Sequence, residues 1–319
     1  MARLTSMLCQ GSLALATVWL PTWAATPEAG SATPASPVDK ADPPAWSPVL
    51  IPATQKLDVR ATGSGHRYRI FLSVPPGPVP PQGHPVLYVL DGNAAFPVAA
   101  FLSRGAARRT EVTGLSAPVV VGIGYPGDSD FHVPERRRDY TVGASQAGAT
   151  ATEGRADAFL DFIERDLKPR ITAQYRIDPA RQALFGHSFG GLLVLHALFT
   201  RPHSFSTYLA SSPSIWWNDK QVLQGLPALQ QRSAQPRPRV QVSVGALEDE
   251  PPKGKYTPEM LAWHAARPMV SEARSVATRL RGLPGWADRV VYHEFAGEEH
   301  GPVWLPALSR GMQYFLEQP

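Results

Sequence analysis

Ala183-Leu184-Phe185-Gly186-His187-Ser188-Phe189-Gly190-Gly191-Leu192-Leu193 decides how this chain is read. Three apolar residues of strand type run into a Gly-x-Ser-x-Gly stretch, and an apolar helical pattern from Leu192 to Phe199 follows. This order predicts a sharp strand-to-helix turn with Ser188 at its apex, where side chains at 186 and 190 would collide with neighbouring elements. Alone the motif is weak, because glycine and serine are common. Its weight comes from what surrounds it.

Upstream, Tyr68 to Val74 alternates in polarity and reads as an early antiparallel strand, ended by the proline-rich turn 75–85. Val86 to Leu90 is continuously apolar and stops at Asp91-Gly92-Asn93, a buried strand entering a loop and a helix. Val119 to Ile123 is the next such strand. Ala156 to Tyr175 carries Phe159, Leu160, Phe162, Ile163, Leu167 and Ile171 at helical spacing. Downstream, Thr207 to Ala210, Val240 to Val244 and Val290 to Phe295 read as strands, and Pro302 to Leu316 as a terminal helix. This alternation implies βαβ units in an α/β-hydrolase fold, a mostly parallel central sheet with helices on both faces. Two polar excursions, at about 125–155 and 250–268, are expected at the C-terminal edge of the strands, where such sheets place ligands. No internal repeat is present.

In this setting Ser188 is the expected nucleophile. A serine hydroxyl needs a base, and His300 in Gly297-Glu298-Glu299-His300-Gly301 stands between the last strand and the last helix, where this fold carries it. Of the other histidines, His187 points elsewhere by the geometry of the turn, His293 lies within a strand and His196 within a helix. The acid is expected after the strand ending at Gly245. Glu248 stands closest, Asp249 and Glu250 are alternatives, and a dyad without a close carboxylate is a fourth arrangement. Oxyanion donors are expected from the Phe189 amide and from Gly92 or Asn93. No metal or other cofactor is implied.

The 319 residues, 43% of them hydrophobic, suffice for one large core. A net charge of +4, from 31 Lys plus Arg against 27 Asp plus Glu, is spread along the chain and argues against nucleic-acid binding. Residues 1–25 read as a secretory signal: Arg3, then the apolar Leu13 to Leu20, then small residues around Thr22-Trp23-Ala24. A membrane anchor is the competing reading, opposed by Gln10, Gly11 and Pro21, so no stable membrane insertion is expected. Residues 26–49 read as a flexible leader rich in Pro, Ala and Ser, and 50–319 as the esterase domain. Cys9, the one cysteine, falls in the signal, so the exported chain, expected in the periplasm, carries no disulfide. Oligomeric state is not legible.

Further runs carry a family likeness. Tyr88-Val89-Leu90-Asp91-Gly92-Asn93, Arg136-Arg137-Arg138-Asp139-Tyr140-Thr141, Gly186-His187-Ser188-Phe189-Gly190-Gly191, Ser212-Pro213-Ser214-Ile215-Trp216-Trp217 and Glu299-His300-Gly301 resemble the esterase-D-like siderophore esterases, which open enterobactin- and salmochelin-type trilactones. The resemblance implies a small-molecule substrate, a cyclic tri-serine lactone bearing catechol amides, free or ferric. Such a bulky trianion calls for arginines and aromatic walls. Arg136, Trp216 and Trp217 are the residues the likeness puts forward, against a solvated basic loop and core tryptophans; one tryptophan is expected in the core. The segment 250–268, with Pro251-Pro252-Lys253-Gly254-Lys255-Tyr256, has no counterpart in that likeness. An exported feruloyl or acetyl esterase would use the same serine and histidine, and a non-catalytic siderophore-binding protein would need neither.

Overall fold

The computed structural model describes residues 46–143, 153–231, 236–250, 254 and 257–317. The signal, most of the leader, and Pro251-Pro252-Lys253 with Lys255-Tyr256 lie outside the described residues. The chain divides into two compact units, Met1–Val49 and Leu50–Pro319. Of the first, residues 46–49 are described, and they are exposed and without regular structure.

The second unit is built on one eight-stranded sheet: β1 Thr54–Arg60, β2 Arg67–Ser73, β3 His84–Leu90, β4 Val119–Gly124, β5 Ile177–His187, β6 Thr207–Ser211, β7 Arg239–Gly245 and β8 Val290–Phe295. Their order across the sheet is β1-β2-β4-β3-β5-β6-β7-β8. β2 runs antiparallel to both its neighbours, and every pair from β4 to β8 is parallel. This is the α/β-hydrolase arrangement.

β3 shows why the run Val86 to Leu90 is apolar without a break. All seven of its residues are buried. Val86, Tyr88 and Leu90 enter one core with the helices Ala156–Phe162, Phe189–Thr200 and Val270–Arg281. Leu87 and Val89 enter the other, against Gly92–Ala107 and Trp304–Leu316. With a side-chain period of two, a strand covered on both faces has no position left for a polar residue. The terminal helix shows the complementary pattern: it buries Ala307, Leu308, Gly311, Met312 and Phe315 at spacings of three and four and leaves its other face wet.

Among the departures from the sequence reading, two have a clear local cause. β1 was not anticipated, because it lies at the sheet edge with Val59 its one buried residue and so carries no alternation. The helix read as Ala156 to Tyr175 is interrupted by a π turn, Ile163–Leu167. The cause is Pro169: it has no N–H for the Arg165 carbonyl, and the Lys168 amide reaches back five residues to the Ile163 carbonyl.

Candidate active site

β5 delivers Ser188 at φ 60° and ψ −117°, a backbone region that costs a residue with a side chain on the order of 1–3 kcal/mol. Two hydrogen bonds hold it there: the Ser188 amide donates to the Ser211 carbonyl (3.0 Å), and its own carbonyl accepts from the Ser214 amide (3.1 Å). The glycines around it divide differently from expectation. A Cβ on Gly186 would stand 2.4 Å from the Gly190 carbonyl, and one on Gly191 2.6 Å from the Ser211 carbonyl. One on Gly190 would meet Leu90 at an ordinary 3.5 Å. The crowding is therefore at 186 and 191, not at 190. Gly190→Ala should fold and melt within about 1 kcal/mol of wild type, while Gly191→Ala should be markedly destabilised or insoluble. Thermal melts of the two variants test this, and equal tolerance would refute the packing argument.

Ser188 Oγ lies 3.1 Å from His300 Nε2, and His300 Nδ1 lies 2.6 Å from Glu248 Oε2. The other Glu248 oxygen accepts from the Gly245 amide and from Ser212 Oγ, each at 2.6 Å. Glu248 is 4% exposed. Its neighbours are committed elsewhere: Asp249 accepts from the amides of Met269, Val270 and Ser271, ahead of and within the first turn of Val270–Arg281, and Glu250 is exposed. Three strands thus converge, β5 carrying the serine, β7 the carboxylate and β8 the imidazole. The turns after β7 and β8 are joined by Ala246 N–H to the Phe295 carbonyl and Leu247 N–H to the Glu298 carbonyl.

The sequence reading passed over two serines. Ser212, at φ 41°, anchors Glu248, and Ser214 places its Oγ 3.3 Å from that of Ser188. Both lie in the Ser-Pro-Ser-Ile-Trp-Trp run, where the tryptophans drew the attention. His187, directed away from the base role by the turn, holds its ring centre 4.7 Å from that of His300 at a tilt of 39°, with Nδ1 3.1 Å from Ser211 Oγ. Burial, with further lowering from His300 and Arg136 nearby, holds the His187 imidazole neutral, well below the ordinary histidine range.

β3 and β5 are paired neighbours, so the loops at their C-terminal ends stand side by side. One opens Gly92–Ala107 and the other Phe189–Thr200. First-turn amides of a helix have no acceptor within it, so those of Gly92, Asn93 and Phe189 are free to serve a developing anion. A Cβ on Gly92 would touch the β4 backbone at 2.8 Å, and the Asn93 side chain is bound to the Tyr125 amide and carbonyl.

Arg136 is not where the likeness put it. It is 8% exposed, and the helix Val133–Tyr140 turns it inward, where Nε donates to Asp91 Oδ1 (2.8 Å) and Nη2 to the His187 carbonyl (3.4 Å). Aromatic rings of Phe131, Tyr140 and Phe189 lie within 6 Å of its guanidinium carbon. Asp91 in turn sits at φ 53° with its amide donating to Tyr140 Oη. One guanidinium thus ties the loop after β3 to the residue before the serine. Arg136→Met should destabilise by about 3–5 kcal/mol in a denaturant titration, because it strands the buried Asp91 carboxylate. It should also lower kcat by about a hundredfold by loosening both loops; unchanged stability and kcat would refute the role. The other two arginines are also spoken for. Arg137 pairs with Glu153 (2.6 Å), and Arg138 binds Asp139, Glu135 and His66. The last three acceptors are grouped closely enough to suggest a metal site, but Arg138 bonds to each of them.

Trp217 is likewise a correction: it is 6% exposed, packed edge-on to Phe189 at 5.1 Å, and belongs to the core. Trp216 is half-buried and lines a cleft of about 290 Å³ together with Ser188, Phe189, His300, Trp263 and Arg267. A larger groove of about 460 Å³, near Phe101 and Leu316, contains no serine–histidine pair.

The family model called Esterase matches residues 61–315. The chain belongs to that family. It is 37% identical over 277 residues to the ferri-bacillibactin esterase BesA of Bacillus subtilis, covering 83% of this chain and 90% of that protein. It is 37% identical over 245 residues to the siderophore triacetylfusarinine C esterase of Aspergillus fumigatus, covering 73% and 82%. The crystal structure of the BES protein from Bacillus cereus superposes with a TM-score of 0.75 at 33% identity, covering 87% of this chain and 100% of that one. This member of the Esterase family is a serine ester hydrolase.

Proposed function

We propose that this esterase cleaves the ester bonds of a catecholate siderophore built on a cyclic tri-serine lactone, in its free or ferric form. The carrying observation is the hydrogen-bonded Ser188, His300 and Glu248 array opening onto a cleft walled by indoles and an arginine. Relatives whose names specify siderophore esters support the substrate class. Ser188 Oγ attacks the ester carbonyl carbon while His300 Nε2 takes its proton. The new oxyanion accepts from the amides of Phe189 and of Gly92 or Asn93. Its collapse breaks the bond to the neighbouring serine unit's oxygen, which leaves with the proton from His300. Water, deprotonated by the same imidazole, then frees the acyl group from Ser188. Glu248 holds the imidazole in the required tautomer throughout.

The reading of residues 1–25 as an export signal supports a site of action outside the cytoplasm, in the periplasm. No helix among the described residues is long and apolar enough to cross a membrane. Incubation of ferric enterobactin, iron-free enterobactin and a feruloylated sugar with the enzyme, followed by mass spectrometry, tests the proposal. Linear and monomeric serine-catechol products are expected. Turnover of the feruloylated sugar alone would sink it.

A further inference from the structure

The excursion read at 250–268 contains the helix Pro258–Ala265 and, just beyond it, Arg267. The Arg267 guanidinium lies between two indoles, its carbon 4.0 Å from the Trp263 ring centre and 4.7 Å from that of Trp216. Nη1 donates to the Trp263 carbonyl (2.6 Å), and Nε is buried without a partner among the described residues. Trp216 in turn packs 5.9 Å from Phe189, beside the nucleophile.

The charge of Arg267 is unusual for its setting. Burial lowers its pKa, and no carboxylate opposes that effect. Two carboxylates close to the site are engaged elsewhere: Glu248 by His300, Gly245 and Ser212, and Asp249 by the helix amides it caps. A guanidinium stays protonated even so. With Nη1 on the Trp263 carbonyl and Nε buried, Nη2 is the donor left to a ligand, and the charge stands in the wall of the cleft that Ser188 also lines.

We infer that Arg267, clamped between Trp216 and Trp263 at one wall of the cleft, is the residue that makes this site select anionic metal chelates over neutral esters. The inference rests on the siderophore reading and names the group behind its charge selectivity. A ferric tris-catecholate is trianionic and presents flat aromatic rings, so the guanidinium charge faces the catecholate oxygens while the indoles flank the rings. The cleft, about 290 Å³, is at the small end for ligand sites, which suits a chelate held at the rim with its ester backbone reaching toward Ser188. Arg267 makes no contact with Ser188 or His300, so its interaction is shared by ground and transition states and belongs in KM rather than kcat.

Arg267→Met keeps an unbranched stem between the indoles and removes the charge. The ratio of kcat/KM for ferric enterobactin to kcat/KM for p-nitrophenyl butyrate should fall about tenfold to a hundredfold, through KM for the chelate. Wild-type KM for the chelate should rise with added salt, and the substitution should flatten that dependence. Arg267→Lys, charged but unable to stack as a plane, should recover part of the ratio. An unchanged ratio, or equal losses in kcat on both substrates, overturns the inference, since Arg267 would then be a strut between two indoles. If the wild type cleaves p-nitrophenyl butyrate but neither ferric nor iron-free enterobactin, the siderophore reading fails and this inference falls with it; cleavage of the iron-free form alone overturns the inference and leaves that reading standing.

Discussion

Ser188→Ala should lower kcat by roughly a millionfold, because the serine and its base work as one unit and removing either removes the covalent route. The loss should appear for every ester. The protein should still bind ferric enterobactin, since Trp216 and Arg267 are untouched, and quenching of tryptophan fluorescence measures that binding. His300→Ala should be nearly as severe, and the double variant scarcely worse, because the first loss already abolishes what the second residue serves. Residual turnover within tenfold of wild type would mean that another group attacks the ester. Retained binding with lost turnover also excludes a protein that merely sequesters the siderophore.

Glu248→Gln comes next in size, with kcat lower by about ten-thousandfold and KM little changed. The amide is isosteric, but it must turn either its NH2 toward His300 Nδ1 or its single oxygen away from the Gly245 amide and Ser212. In the first case the imidazole is driven to the tautomer that cannot accept from Ser188. In the second, two buried donors lose their acceptor, which costs on the order of 1–3 kcal/mol each. Asp249→Asn is the control, because it weakens the cap of Val270–Arg281 and should cost about 1 kcal/mol of stability with turnover nearly intact. If Asp249→Asn were the inactive variant and Glu248→Gln the active one, the assignment of the acid would be reversed.

The serine and histidine were legible because each occupies a place that the chain order of this fold dictates. The acid was legible only as a group of three neighbours. Choosing Glu248 required knowing that Asp249 is used by a helix that begins some twenty residues later. Arg136 was misplaced for a related reason: an arginine run written as one polar stretch becomes, on the helix Val133–Tyr140, three side chains with three different partners. Asp91 is 45 residues from Arg136, and nothing local signals that pairing. Trp217 differs from Trp216 by one position, yet the turn after β6 sends one indole to the core and the other to the cleft. Arg267 lay in an excursion expected at the sheet's ligand edge, but its two indole partners come from segments almost fifty residues apart.

β8 is an edge strand, bonded to β7 on one side and to no other strand among the described residues, and it ends in the turn that carries His300. The base therefore hangs on one margin of the sheet, while the nucleophile is rooted at its centre. Loss of that margin would displace the base while the interior is still intact. Activity should therefore disappear on heating before the bulk of the fold melts, so that inactivation and denaturation separate as two events.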